Sequence, residues 1–490
     1  MDAQRAIARR MVIGLPPGGG DAAWDKDFGA YPPAGVIVFR RDFADLEALR
    51  KLTARLRALA RPRRIFIAID EEGGWVSQLA GHLVVPPNAL LFGRGARPGD
   101  IEWASRVTGE RLRALGLDWV YAPVADVHSE PRNPVIGPRA WGTDAATVSA
   151  RVDEVLRGFG TAGLAACLKH FPGHGDTRTD SHLALPVSEK PRAALEACEF
   201  APFRDHPEAA AVMTAHVVYR ALDPARPATY ARAVVHDLLR QDLRFPGVCI
   251  TDSLEMKGAR EGRGPAAAAR ESLEAGCDLL LFALHDEELR RARLELARAI
   301  VDGSIPRAGF DESRPRLEAF DHEHPEPSAE ELARPLESLT PPDWEARLEA
   351  IVERGLVMSG ALPAAAAPWR LSDAAGADAT PAGAREPGSA VGALREELAS
   401  LGVPLGEGQD AIEVAVYSAR TPLGGAALDR LRARCRERPT VLIGLQNDSF
   451  LDEIPEAAFR LSAADATPLT RRVVARTLAR RLREAGAARA

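Results

Sequence analysis

The feature that most constrains this 490-residue chain is an alternation of short apolar runs with longer stretches that carry charged residues at helical spacing. Eight such runs occur in the first part of the chain: Met11 to Leu15, Val36 to Phe39, Ile65 to Asp70, Trp119 to Pro123, Ala165 to His170, Val212 to His216, Val248 to Asp252 and Leu279 to Phe282. Apolar strands joined by helices are the pattern of parallel βα units. Asp144, for example, is placed to N-cap a helix whose Val148, Val152, Val155 and Phe159 share one face. Eight strands, seven crossovers and a closing helix near Glu287 to Val301 predict an α/β protein built on a (β/α)8 barrel of the TIM type.

The polar residues fall where such a barrel carries its chemistry. Asp70, His170, His216 and Asp252 each end an apolar run, which puts them at the C-terminal face of the ring. His216 is expected either to line a site there or to support it.

At this length one core is too few and two are comfortable. The expected division is a barrel over residues 1–310, a linker over 311–345 and a smaller α/β domain of sandwich type over 346–490. The linker is read from the Pro- and Glu-rich run HEHPEPSAEELARPLESLTPPD, taken as a connector crossing the barrel surface. A stretch rich in Ala, Pro and Gly, roughly Ala361 to Gly388, is expected to be a loop or a poorly ordered segment. Strand-like runs return at Ile412 to Tyr417 and Val441 to Leu445.

Hydrophobic residues at 46% and charged residues at 27% fit a soluble globular protein. With a formal net charge of -6 and dispersed Lys and Arg, no nucleic-acid footprint is visible. The arginine-rich tail from Arg471 to Arg489 carries Val473, Val474, Leu478 and Leu482 at helical spacing, so it reads as a last amphipathic helix with a solvated basic face. The five widely spaced cysteines are expected to be reduced core residues. No apolar run approaches a membrane span and the start of the chain lacks a signal-peptide core, so a cytoplasmic location without a membrane partner is expected.

Chemistry concentrates in two motifs. The first is the run KHFPGHGDTRTDSH from Lys169 to His182, in which three His, two Asp and a Lys follow a buried strand. Asp180 and His182 are two apart, which in extended chain puts both on one side. A carboxylate beside an imidazole favours its charged form and fixes its tautomer, so His182 is a candidate proton donor and acceptor. His174 and Asp176 are expected to shape the loop. The second motif is ITDSLEM, where Asp252 ends a strongly apolar strand; an ionised carboxylate there is able to attack a sugar's anomeric carbon.

These two motifs, with IDEEGG at Ile69 to Gly74, NPVIGPR at Asn133 to Arg139 and MTAH at Met213 to His216, resemble glycoside hydrolase family 3, in particular its bacterial β-N-acetylglucosaminidase branch. The likeness covers the whole first domain. Relatives acting on plain glucosides generally lack the Asp-Ser-His of the long loop and carry their acid/base on a later domain. The resemblance implies that Asp252 is the nucleophile, His182 the general acid/base and Asp180 its orienting partner. It also implies that Asp70, Arg139, Lys169 and His170 bind the hydroxyl groups of a terminal N-acetylglucosamine. The implied reaction is retaining, exo-acting hydrolysis of β-linked N-acetylglucosamine, with muropeptides from cell-wall recycling as substrates and neither cofactor nor metal.

Two departures stand out. The branch usually has arginines at the positions of Trp75 and Gln78, the second of which helps hold the sugar, and this chain has neither. The second domain resembles the sandwich of longer family members, most visibly at Val441 to Asn447, but is short, and a degraded structural remnant is one reading of it. Three rivals stay open. A metal site is disfavoured because neither His-Glu-x-x-His nor Cys pairs occur. A catalytically silent sugar-binding protein has no physical need for both Asp252 and the Asp180/His182 pair. Phosphorolysis of N-acetylglucosaminides or β-glucosides would use the same residues, since a neutral imidazole does not repel phosphate.

Overall fold

The computed structural model describes residues 2–181, 184–260, 262–284, 287–305, 308–363, 367–374, 387–408 and 410–487. The eight apolar runs form eight parallel strands: β1 Met11–Ile13, β2 Gly35–Val38, β3 Phe66–Ile69, β4 Trp119–Val120, β5 Ala165–Phe171, β6 Ala211–Thr214, β7 Val248–Thr251 and β8 Leu280–Phe282. They are hydrogen-bonded in the order β7-β6-β5-β4-β3-β2-β1-β8. A bridge between Ile250 and Leu279 joins β7 to β8 and closes the ring. The fold is therefore the (β/α)8 barrel expected from the alternation. The closing helix runs from Glu287 to Val301.

Alternation along the strands sorts the core into two layers, because successive side chains point to opposite faces. Val12, Ile37, Ala68, Trp119, Cys167, Met213, Ile250 and Leu281 fill the ring interior, while Ile13, Val36, Ile67, Val120, Leu168, Val212 and Cys249 face the surrounding helices. Phe320 plugs the floor of the ring. It belongs to the helix Ala308–Glu323, and its ring centroid lies 4.6 Å from that of Phe66 and 4.9 Å from that of Trp119. Of the five cysteines, all unpaired, four are buried and Cys198 is half-buried.

The Pro- and Glu-rich run is ordered into two short helical pieces, Ala329–Ala333 and Leu336–Leu339. Arg113 holds the first through two bonds to Glu331 of 2.7 and 2.9 Å. Helix Trp344–Gly355 then packs on helix Ala89–Gly95 so closely that a Cβ on Gly95 would meet the Ile351 carbonyl.

The second domain is a five-stranded sheet of β9 Val357–Gly360, β10 Trp369–Asp373, β11 Ile412–Tyr417, β12 Thr440–Gly444 and β13 Phe459–Ser462. Its order is β9-β13-β12-β11-β10, parallel except for β9 against β13. Val414, Val416, Val441 and Ile443 pack with Leu394, Leu398, Val473 and Leu478 on one face, and Ala415, Tyr417 and Leu442 with Leu428 and Leu431 on the other. The result is a three-layer sandwich.

Two expectations need correction. The Ala-, Pro- and Gly-rich stretch is not all loop: β10 lies inside it and helix Pro387–Ser400 begins within it, because Trp369 and Leu371 bring enough apolar surface to join the sheet. Residues 364–366 and 375–386 of that stretch lie outside the described residues. The basic face of the last helix, Pro468–Ala487, is also more than solvated. Arg472, Arg476 and Arg480 pair with Glu345, Glu349 and Glu353, which recur every four residues along helix Trp344–Gly355.

Candidate functional site

The C-terminal ends of the strands gather the polar residues. Asp70 follows β3, and its Oδ1 accepts a 2.7 Å hydrogen bond from Lys169 Nζ, on β5. The same ammonium lies 2.6 Å from Oε1 of Glu72. Arg139, from the loop after β4, donates to Glu72 through Nε and Nη2 at 2.8 Å each. Glu72 is thus the hub that joins three of the four predicted sugar-binding residues, with its side chain only 6% exposed.

The electrostatics keep Glu72 and Lys169 charged. Burial alone would raise the Glu72 carboxyl, but the adjacent Arg139 and Lys169 hold it at about 2. Burial would likewise lower Lys169, yet Asp70 and Glu72 push its ammonium above the ordinary lysine range. The network carries two cations and two carboxylates and is neutral as a unit.

His170, the fourth, is held separately. Its Nδ1 is 2.7 Å from Oδ2 of Asp126, which also accepts the backbone N–H groups of His170 and His174. A carboxylate at Nδ1 fixes the imidazole's orientation and leaves Nε2 for another partner. Burial would raise Asp126, but His170 and the surrounding donors keep it below its ordinary value. The strand register shifts at His170, between the pairs Lys169 with Met213 and Phe171 with Thr214. That irregularity breaks the two-residue alternation, which lets adjacent Lys169 and His170 both serve the mouth of the ring.

Asp252 follows β7, across the ring from β3. Its Oδ1 accepts the N–H of Ser253 at 2.7 Å and its own N–H donates to the Thr214 carbonyl. The Tyr121 hydroxyl and Cys167 thiol, inside the ring, are raised first by burial and further by the charges of both Asp70 and Asp252. Asp70 and Asp252 thus stand at the C-terminal ends of two strands on opposite sides of the ring. Glu255 fastens the Asp252 turn, accepting from Ser253 Oγ and from the N–H of Leu284 beyond β8.

His216 supports this turn. Its Nε2 lies 3.0 Å from the Ser253 carbonyl and its Nδ1 2.9 Å from Thr229 Oγ1.

The loop after β5 is braced from within. His174 contacts Thr177 Oγ1 at 2.8 Å through Nδ1 and Ser181 Oγ at 3.1 Å through Nε2; burial lowers its pKa to about 4, so it is neutral. Gly175 is required because a Cβ there would overlap the Val127 carbonyl. The Asp176 carboxylate accepts from Ser188 Oγ. Asp180 is half-buried, and the Ser181 carbonyl accepts from the N–H of Gly258, which ties the loop to the segment after Asp252. His182 lies outside the described residues.

The family model described as "Glycosyl hydrolase family 3 N terminal domain" matches residues 26–319. The chain belongs to glycoside hydrolase family 3. Within family 3 it is similar to a β-hexosaminidase of Chromobacterium violaceum, 38% identical over 262 residues, 52% of this chain and 72% of the relative. A family 3 β-N-acetylglucosaminidase from Paenibacillus sp. str. FPU-7 superposes with a TM-score of 0.80 at 28% identity, covering 98% of this chain and 96% of that one. NagZ from Neisseria gonorrhoeae, solved with N-trifluoroacetyl-D-glucosamine, gives 0.59 at 28% identity over 71% and 99%. The similarity of this family 3 chain lies with enzymes of the β-N-acetylhexosaminidase type.

Glu72 and Asp126 were not singled out from the sequence. Glu72 sits inside IDEEGG, where two adjacent glutamates are indistinguishable by pattern: Glu71 turns away to accept from Ser77, Gln78 and Leu79. Asp126 had a usable signal, as the one charged residue in the run YAPVADV. Trp75 and Gln78 stand on the hairpin beside the network; Gln78 Oε1 accepts from the N–H of Arg40.

Proposed function

We propose that this chain is a retaining exo-β-N-acetylglucosaminidase with Asp252 as nucleophile, His182 as general acid/base and Asp180 as the group that orients it. Asp70, Arg139, Lys169 and His170 bind the hydroxyls of the terminal N-acetylglucosamine, and no cofactor takes part. The observation that carries this reading is the network of Asp70, Lys169, Glu72 and Arg139 at the barrel mouth, with Asp252 at the end of the strand across the ring. Such a network offers fixed donors and acceptors to a ring of hydroxyls and leaves one carboxylate opposite to react.

In the first step an Asp252 oxygen forms a bond to C1 while the bond from C1 to the leaving oxygen breaks, and that oxygen takes a proton from His182. In the second, neutral His182 accepts a proton from water, the water oxygen bonds to C1 and the Asp252 ester is released. Two inversions give net retention. The similarity to β-hexosaminidases supports N-acetylglucosamine as the sugar, with muropeptides recovered in the cytoplasm during cell-wall recycling as the natural source.

The test is hydrolysis of an aryl β-N-acetylglucosaminide followed by NMR of the first anomer formed. The β-anomer is expected, with activity abolished in Asp252→Ala while the fold is kept. Full activity in that variant, or an α-anomer first, overturns the assignment. Running the assay with phosphate distinguishes phosphorolysis, which would yield a sugar 1-phosphate.

A further inference from the structure

Helix Ala145–Thr161 packs against helix Ala201–Arg204 and the connection that leads from it into β6. At this contact one nitrogen of His206 and one carboxylate oxygen from each of Asp153 and Glu208 lie within 4.8 Å of one another. Asp153 belongs to the first helix, while His206 and Glu208 stand two apart on the connection. That connection enters β6 at its N-terminal end, so the trio lies at the opposite end of the ring from Asp70, Lys169 and Asp252.

The protons around His206 set it apart from an ordinary buried histidine. The residue is 5% exposed, and its Nε2 lies 2.9 Å from the Ser149 carbonyl oxygen and 3.3 Å from Ser149 Oγ. A carbonyl only accepts, and Ser149 Oγ gives its one proton to Asp205 at 2.7 Å. Both neighbours of Nε2 are therefore acceptors, and Nε2 carries a proton. In the neutral ring Nδ1 is then a bare lone pair. It faces Oε1 of Glu208 at 3.1 Å. Lone pair against carboxylate is favourable only when a positive charge sits there, either a second proton on the ring or a metal ion. The surroundings are short of positive charge: Asp153, Asp205, Glu208 and Glu102 meet only Arg157 and Arg204 in the ion pairs formed there.

From this geometry we infer that His206, Asp153 and Glu208 bind a divalent transition-metal ion of the zinc type, which staples the helix to the strand connection and has no part in the sugar chemistry. One imidazole with two carboxylates is a donor set for zinc, whereas calcium and magnesium take oxygen ligands alone. The Ser149 carbonyl on Nε2–H is the outer contact that fixes a metal-bearing imidazole in place. Arg157 donates to Oδ2 of Asp153, so Oδ1 is the ligand oxygen. At zinc bond lengths of about 2.0–2.1 Å the ligand atoms stand about 3.4 Å apart. The side chains of Asp153 and Glu208, 43% and 57% exposed, have room to rotate inward by that much, while His206 stays fixed. Water takes the fourth position. A metal at the N-terminal face acts where a barrel is held together and not where it reacts.

The experiment uses the full chain, freed of metal by dialysis against a chelator, then titrated with Zn2+ in competition with a chromogenic chelator and melted with and without Zn2+. One equivalent should bind, and Tm should rise by about 2 °C or more at saturation, because the metal binds the folded state. Mg2+ and Ca2+ should leave Tm unchanged. His206→Gln, whose amide still donates to the Ser149 carbonyl, should weaken zinc binding by about tenfold or more and remove the rise in Tm. Glu208→Gln and Asp153→Asn, at exposed positions that keep the fold, should each do the same. Absence of saturable zinc binding by the parent overturns the inference and leaves a doubly protonated His206. Equal affinity in the parent and all three variants, or a Tm rise with Mg2+ or Ca2+ as large as with Zn2+, overturns it too.

Discussion

Arg139 and Glu72 face each other through two parallel hydrogen bonds of 2.8 Å, and the same carboxylate lies 2.6 Å from the ammonium of Lys169. Two cations share one nearly buried carboxylate, so removing Glu72 leaves buried charge uncompensated. Glu72→Ala should cost about 3–5 kcal/mol of stability, as breaking a buried pair does, and should raise KM for the glycoside, both read from denaturant unfolding and initial rates.

The sign of the pH dependence follows from the same residue. The folded pKa of Glu72, about 2, lies below its ordinary 4.5. Its contribution is thus present above about pH 4.5 and is lost as pH falls towards 2, an effect on the order of 3 kcal/mol. Unfolding measured between about pH 3 and pH 6 should show a shallower acid loss in Glu72→Gln than in the parent. Equal slopes would count against the pairing.

Its neighbour Glu71 predicts the opposite trend. Burial pushes its carboxyl up to about 7 from 4.5, against the donors Ser77, Leu79 and Gln78. The folded state therefore holds a proton that the unfolded chain has released. Stability from this group is full below about pH 4.5 and declines as pH rises through 7. Glu71→Gln, whose amide satisfies the same partners, should flatten that decline in thermal unfolding recorded at increasing pH.

Asp126 accepts three donors from the end of β5 and the loop after it, two of them backbone N–H groups and the third Nδ1 of His170. Asp126→Asn turns one acceptor oxygen into a donor facing N–H groups. It should lower kcat/KM by about ten- to a hundredfold, the scale seen when a group that orients a histidine is lost, with a smaller effect on Tm. A kcat/KM within about twofold of the parent would show that His170 is positioned without it.

Phe320 closes the floor of the ring from a helix that follows the barrel's last strand, against Phe66 and Trp119. Phe320→Ala should cost about 3–5 kcal/mol by leaving a cavity. Because the site lies at the other end of the ring, KM should change little; a large rise in KM would mean that the floor and the mouth are coupled.

The sequence alone determined the barrel and most of its mouth. An eightfold alternation of apolar run and helix leaves few other solutions, and a polar residue at the end of an apolar strand points to one face, so Asp70, His170, His216 and Asp252 were legible one by one. Tertiary structure decided what holds them. Period and composition do not say which of two adjacent glutamates turns inward, so Glu72 as hub and Glu71 as hairpin anchor appear only when Arg139 and Lys169 arrive from other strands. Nor does a linear pattern show that Arg420 lies over Trp75. That contact joins residues hundreds of positions apart, and only the packing of one domain's strand ends on another's brings them together.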